Sequence, residues 1–169
     1  NGISQAAQPL ISTNYGAANY LRVQKSLRVA VIAAIAFAAA CYGAILLFPG
    51  PVVGLFLGEE AGLLDMGIRA AQIYFLCFVF TAVNSVLMYY FQSVECIKVS
   101  TTIALLRGVV LIAAGLAIFP FFWKETGVWF TVTFAEVGTL LITLPIKKRF
   151  DLLMHQRFNL ENQENTAHG

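Results

Sequence analysis

Charge is scarce in this chain. Only 12% of its 169 residues are Asp, Glu, Lys or Arg, against about 25% in soluble domains. Net charge is +2 and the basic residues are scattered, so there is no field or stripe to follow a nucleic-acid backbone. The two histidines, His155 and His168, sit in a polar end segment without ligand spacing. The three cysteines, Cys41, Cys77 and Cys96, fall in or at the ends of apolar runs and match no disulfide or zinc spacing. They read as small apolar residues. The chain has no Gly-rich loop followed by Lys, no HExxH, no GxSxG and no CxxC. Without a nucleophile and base pair it does not read as an enzyme. It opens on Asn, without the basic, apolar and cleavage-site order of a signal peptide, and is expected to begin inside a longer protein.

What is abundant is hydrocarbon. Hydrophobic residues make up 59% of the chain, and mean hydropathy is +0.74, which places it in a membrane. A crossing helix needs about 20 apolar residues. Segments 29–48, 70–94, 99–122 and 126–146 qualify, the third interrupted by Arg107 and the fourth by Glu136. Segment 1–21 is uncharged but more polar and reads as most of a fifth span. Backbone groups in hydrocarbon must be satisfied within their own segment, and the alternation of barrel strands is absent. The expected fold is therefore an all-α integral membrane protein, a polytopic helical bundle over 1–157, with a polar tail at 158–169 expected to be disordered.

Arg22, Lys25, Arg28, Lys98, Lys147, Lys148, Arg149 and Arg157 fall at one set of span ends. Arg69 and Lys124 fall at the other, with Glu59, Glu60, Asp65 and Glu125. The positive-inside rule puts the first set and the C-terminal tail in the cytoplasm. That predicts a multi-pass protein of the cytoplasmic (inner) membrane, surrounded by lipid. Pro49, Gly50, Pro51 and Gly58 read as ending the second span in an outer connection. Phe119, Phe121, Phe122, Trp123 and Trp129 read as an outer aromatic belt.

Polar residues recur at helical steps. Gln5, Gln8, Ser12, Tyr15 and Asn19 follow one another at three- and four-residue steps, which keeps them on one helix face. Pro9 lacks an N–H and clashes with the carbonyl of Gln5, so a bend is expected there. This face reads either as interhelical hydrogen-bonding or as the wall of a cavity, with Pro9 as a hinge. Thr81, Ser85, Met88, Gln92 and Glu95 form a second stripe, with Asn84 beside it. Glu95 reads as an interfacial carboxylate in water or as a coupling group. Arg107 lies nine residues beyond Lys98, about 13 Å deep. Glu136 lies eleven residues before Lys147, about 16 Å deep. On adjacent antiparallel helices they meet. Their pairing reads as a buried structural support or as a proton or cation site.

The opening segment resembles a family signature. "GISQAAQPLISTNYGAANYLRVQKSLR" is similar to the eighth transmembrane helix of the multidrug and toxic compound extrusion (MATE) family, through Gly2, Gln8, Pro9, Leu10, Ile11, Asn14, Tyr15, Gly16, Ala17, Asn19, Arg22 and Val23. "YYFQS" and "ALLRG" resemble the family's tenth and eleventh helices. "GVWFTVTFAEVGTLLIT" resembles its twelfth, with Gly127, Trp129 and Glu136 in place. The resemblance implies a two-lobed transporter of which this chain is part of the C-terminal six-helix lobe, from the eighth helix to the twelfth. It implies antiport of drugs or small organic cations against Na⁺ or H⁺, with the coupling ion bound mainly outside this chain. The N-terminal lobe of the same protein would be its partner, and no other cofactor or metal is implied. The cavity-lining candidates are then Gln5, Gln8, Ser12, Tyr15, Thr81, Ser85, Met88 and Gln92. The sequence departs from the family after "FQ", where Glu95 stands in place of the usual Gly. The rival readings are a lipid-linked oligosaccharide flippase of the same wider superfamily and a structural or channel-forming membrane subunit. A flippase should line its cavity with several cations, and Arg107 is the only deep one here.

Overall fold

The computed structural model describes residues 2–57 and 61–167, with the side chains at 56–57, 61–63, 125 and 159–167 left aside. Gly58, Glu59, Glu60 and His168 lie outside the described residues. The elements in order are α1 (Gly2–Gly16), α2 (Tyr20–Leu47), α3 (Pro49–Leu57), α4 (Ala61–Tyr74), α5 (Cys77–Ser93), α6 (Ile97–Leu105), a π-helical turn (Leu106–Val110) and α7 (Leu111–Ala167). No strand occurs among the described residues. Four helical stretches are long and apolar enough to cross a membrane: Tyr20–Leu47, Leu64–Ser93, Ile97–Lys124 and Thr126–Phe158. At 15 residues, α1 is shorter than the roughly 20 a full crossing needs.

Three boundaries differ from the sequence reading. Pro49 and Pro51 open α3 rather than an irregular loop, because proline in a first helical turn forfeits no intrahelical bond. Arg22, Lys25 and Arg28 sit in the first turns of α2, which starts at Tyr20. The tail expected to be disordered continues α7 as helical backbone to Ala167.

The chain turns tightly between helices by placing residues in the left-handed region. Ala18 has φ 52 and Glu95 has φ 62. After α1, Asn19 N–H donates to the Asn14 carbonyl at 2.9 Å and Ala18 N–H to the Tyr15 carbonyl at 3.0 Å. After α5, Cys96 N–H donates to Phe91 O at 2.8 Å and Glu95 N–H to Gln92 O at 3.1 Å. Both are Schellman ends, which glycine usually fills. Asn19 then caps α2 by accepting from Arg22 N–H at 3.1 Å. It therefore serves the turn and is not a fifth member of the α1 stripe.

The acid at position 95 thus occupies a backbone conformation that suits glycine. Left-handed φ costs a non-glycine residue about 1–2 kcal/mol, and glycine returns about 0.5–1 kcal/mol of that in unfolded-state entropy. Glu95→Gly is expected to raise thermal stability by about 0.5–1 kcal/mol, the difference between those two effects, read as a higher Tm in detergent. A lower Tm would show that the carboxylate makes a stabilising contact.

α1, α2 and α5 form the core. Ile11, Val23, Leu27, Ala30, Ala34, Val86, Tyr90, Phe91, Val94 and Ile103 cluster there. The alanines at 30, 34 and 38 let α2 pack closely, as small residues do where helices meet in lipid. The opposite face of α2 exposes Val29, Ile32 and Leu47, which suits contact with acyl chains.

The last two crossings form a hairpin. Lys124 alone leaves helical geometry, at φ 48 and ψ −127. Arg107 meets Glu136, and a Cβ added at Gly115 would reach Thr131 Cγ2 at 2.7 Å. One added at Gly127 would reach Phe119 O at 2.4 Å. These pairs step in opposite directions along the chain, so limbs 111–123 and 125–167 run antiparallel. On the second limb, Thr131, Thr139 and Thr143 are buried. Their hydroxyls donate to the carbonyls of Gly127, Ala135 and Thr139 at 2.8–2.9 Å, so this small polar face needs no outside partner.

Candidate functional site

The deepest polar cluster joins three elements. Arg107 projects from the π-helical turn. It donates through Nη2 to Glu136 Oε1 at 2.7 Å and through Nη1 to Ser85 Oγ at 3.0 Å. Asn84 Nδ2 donates to Glu136 Oε2 at 2.7 Å and to the Glu136 carbonyl at 2.8 Å. The Glu136 side chain is 7% exposed and that of Arg107 19%. Each carboxylate oxygen therefore has a donor, which is what a buried charge requires. A π turn re-aims side chains relative to a regular helix, and this one carries Arg107 onto its partners. Among the described residues, Asn84 Oδ1 and Thr133 Oγ1 are buried without a hydrogen-bond partner. Groups of this kind are commonly satisfied by buried water.

Arg107 and Glu136 are visible in the sequence as lone charges inside apolar runs. Asn84 stands there only as a neighbour of its stripe, and Thr133 carries no signal, since nothing in their spacing tells which helix they face.

The α1 stripe borders the core face, with Tyr15 packed against the core and Gln5 and Ser12 on the outer edge. The buried residues of α1 are Ser4 and Ile11, whereas Gln5 and Ser12 are exposed and Gln8 and Tyr15 half-buried. Gln5 Nε2 donates to Tyr89 Oη at 3.2 Å. Ser93 Oγ donates to the Gln8 carbonyl at 3.3 Å. Ser12 Oγ donates to the Pro9 carbonyl at 3.1 Å. Helical backbone is continuous through Pro9.

The α5 stripe divides. Ser85 is buried and serves the Arg107 network. Met88 packs against the core. Thr81, with Ser4, Ala34, Cys41 and Ala82, lines a cavity of about 270 Å³ between α1, α2 and α5. Gln92 and Glu95 are exposed, Glu95 at the turn described above.

A second polar cluster has no counterpart among the sequence motifs. Asp151 Oδ1 accepts from Gln24 Nε2 at 3.0 Å and from Tyr90 Oη at 3.0 Å, and Oδ2 pairs with Lys147 Nζ. Tyr20 Oη donates to the Asp151 carbonyl at 3.3 Å. The basic start of α2 and the end of the last crossing thus meet at one end of the bundle, where the charge distribution groups them. The members come from three distant segments, so no local spacing could join them.

Comparison with known proteins gives a consistent result. Among solved structures, the chain is similar to a MATE protein in complex with MaL6, at 18% identity and a TM-score of 0.83, covering 90% of this chain and 35% of that one. An inward-facing conformation of a multidrug resistance MATE family transporter of the MOP superfamily matches with the same identity and TM-score, over 90% and 36%. A MOP superfamily transporter from Pyrococcus furiosus, described as having a binding pocket of reverse polarity, matches at 19% identity and a TM-score of 0.76, over 92% and 34%. The chain therefore spans about a third of the length of these transporters. No match is found among curated proteins. The MatE family model matches residues 1–118, most of the chain, and with the all-helical membrane bundle this shows that the chain belongs to the MATE transporter family.

Proposed function

We propose that this chain is part of the C-terminal lobe of a cation-coupled antiporter that exports drugs or organic cations across the cytoplasmic membrane, with its C-terminal end inside. Transport, not catalysis, is its activity. The observation that carries the reading is the uncharged polar face of α1, with Gln5 and Ser12 exposed and Gln8 and Tyr15 half-buried. Polar groups turned to acyl chains are costly and sit instead against other helices or a water-filled cavity. Gln8 and Tyr15 border the buried Ser4 and Ile11, with Tyr15 packed on the core, while the exposed Gln5 and Ser12 edge suits the wall of a passage closed by a second lobe. Its lack of charge suits a site that must release what it binds.

Glu136 is a poor cation site by itself, because the Arg107 guanidinium already occupies one of its oxygens at 2.7 Å. That supports a coupling ion, Na⁺ or H⁺, held mainly outside this chain. The same pairing disfavours the flippase alternative, since Arg107 is committed to Glu136 and Ser85 and does not present a free cation to a diphosphate.

The test uses the complete protein in vesicles, with ion-coupled dye efflux as readout. Pro9→Ala is expected to leave membrane abundance normal, since it restores a backbone hydrogen bond and removes a clash, but to slow efflux by favouring one state over another. Gln8→Leu is expected to weaken substrate binding. Wild-type efflux by Pro9→Ala at equal abundance would reduce the α1 stripe to interhelical packing. Absence of coupled efflux from the wild-type protein would overturn the antiport reading itself.

A further inference from the structure

We propose that the basic end of the last crossing holds the headgroup of one anionic phospholipid. The site is the groove between Tyr20 and the second limb of α7, of about 570 Å³, lined by Tyr20, Leu144, Lys147, Lys148, Asp151, Leu152 and His155. It requires no assumption about what is transported.

Three observations support it. The first is electrostatic. The carboxylate in the groove is spoken for, because Asp151 takes Gln24, Tyr90 and Lys147 as donors. Lys147, which also lines the groove, balances its charge, and Lys148, exposed on the neighbouring position, is left as the groove's cation without an acidic partner among the described residues. Arg22 and Lys25, also exposed, follow Tyr20 in the first turns of α2 and add to the positive potential. The groove thus favours a phosphate.

The second is shape. Tyr20 and His155 face one another with ring centroids 5.7 Å apart, which gives the groove a fixed aromatic back. The third is continuity with the lipid-facing surface. Leu144 and Leu152 line the groove and are 46% and 60% exposed, and Leu141, one turn before Leu144, is 67% exposed. A headgroup at Lys148 would therefore leave its acyl chain against a leucine strip on the same helix. A soluble anion would gain nothing from that strip. Basic pockets between helices at a membrane boundary bind anionic lipid headgroups in this way, and tyrosine suits that depth because one end of its ring is apolar and the other wet.

Native mass spectrometry of the complete protein in detergent tests the proposal, with dioleoylphosphatidylglycerol, dioleoylphosphatidylcholine and inorganic phosphate as probes. One phosphatidylglycerol should be retained in preference to phosphatidylcholine. Lys148→Gln should weaken its binding about fivefold, the factor that one basic residue near an anionic surface contributes, and Lys148→Arg should preserve it. Lys98→Gln removes the same charge from an exposed position on α6, outside the groove, and should change binding little. Equal retention of phosphatidylcholine, or an equal loss in Lys98→Gln and Lys148→Gln, would overturn the site in favour of a general surface potential. Displacement of the lipid by millimolar inorganic phosphate would make it a free-anion site and overturn the lipid assignment.

Discussion

Replacing Arg107 by Met is expected to destabilise the protein by about 3–5 kcal/mol, the usual cost of removing one partner of a buried ion pair. The substitution keeps the volume of the side chain's stem but strands the Glu136 carboxylate, which is 7% exposed and loses its donor at 2.7 Å. It also takes the donor from Ser85 Oγ. Asn84 Nδ2 would still hold Oε2, so part of the network survives, and protonation of Glu136 limits the loss. Thermal unfolding in detergent and abundance in the membrane measure the effect. The double variant Arg107→Met/Glu136→Gln should recover most of the stability, because both charges leave together while the new amide keeps an acceptor oxygen for Asn84. We expect efflux to return with the fold, which marks the pair as a support between the last two crossings. Recovery of stability without recovery of efflux would instead assign the carboxylate to coupling. An Arg107→Met protein as stable as wild type would contradict the pairing.

Gly127→Ala is expected to cost about 3 kcal/mol, at the upper end of overpacking penalties. A Cβ at this position would lie 2.4 Å from the Phe119 carbonyl oxygen and 2.9 Å from Pro120 N. These are backbone atoms of the facing limb, so no rotamer change relieves the clash, and the hairpin around Lys124 must open. Phe119, Trp123, Phe130 and Phe134 stack around that hairpin with centroids 5.0–6.1 Å apart, and their packing would be lost with it. Gly115→Ala is the milder comparison, because its new Cβ meets the Thr131 side chain at 2.7 Å and a side chain has more freedom to yield. Equal Tm values for wild type and Gly127→Ala would show that the limbs do not approach as closely as described.

How much of this is legible in the sequence can be followed residue by residue. The scarcity of charge and the length of the apolar runs determined the all-helical membrane class, since only helices and closed barrels satisfy a spanning backbone in lipid and the runs lack a barrel's alternation. Arg107 and Glu136 announced themselves because a lone charge in hydrocarbon is rare and needs a partner, and their depth could be counted from the nearest lysine. Only the tertiary structure decided the rest. It revealed that Glu95 occupies a left-handed turn, because the way α5 hands over to α6 imposes that φ against the ordinary preference of a non-glycine residue. It separated Ser85 from Gln92, which share a stripe, because the neighbours of α5 cover one end of that stripe and leave the other open. It also gathered Gln24, Tyr90 and Asp151 from three helices, since contacts between distant segments follow from packing and leave no periodic trace in a single chain. Periodicity determines which residues share a helix face; what that face meets is settled when the helices pack.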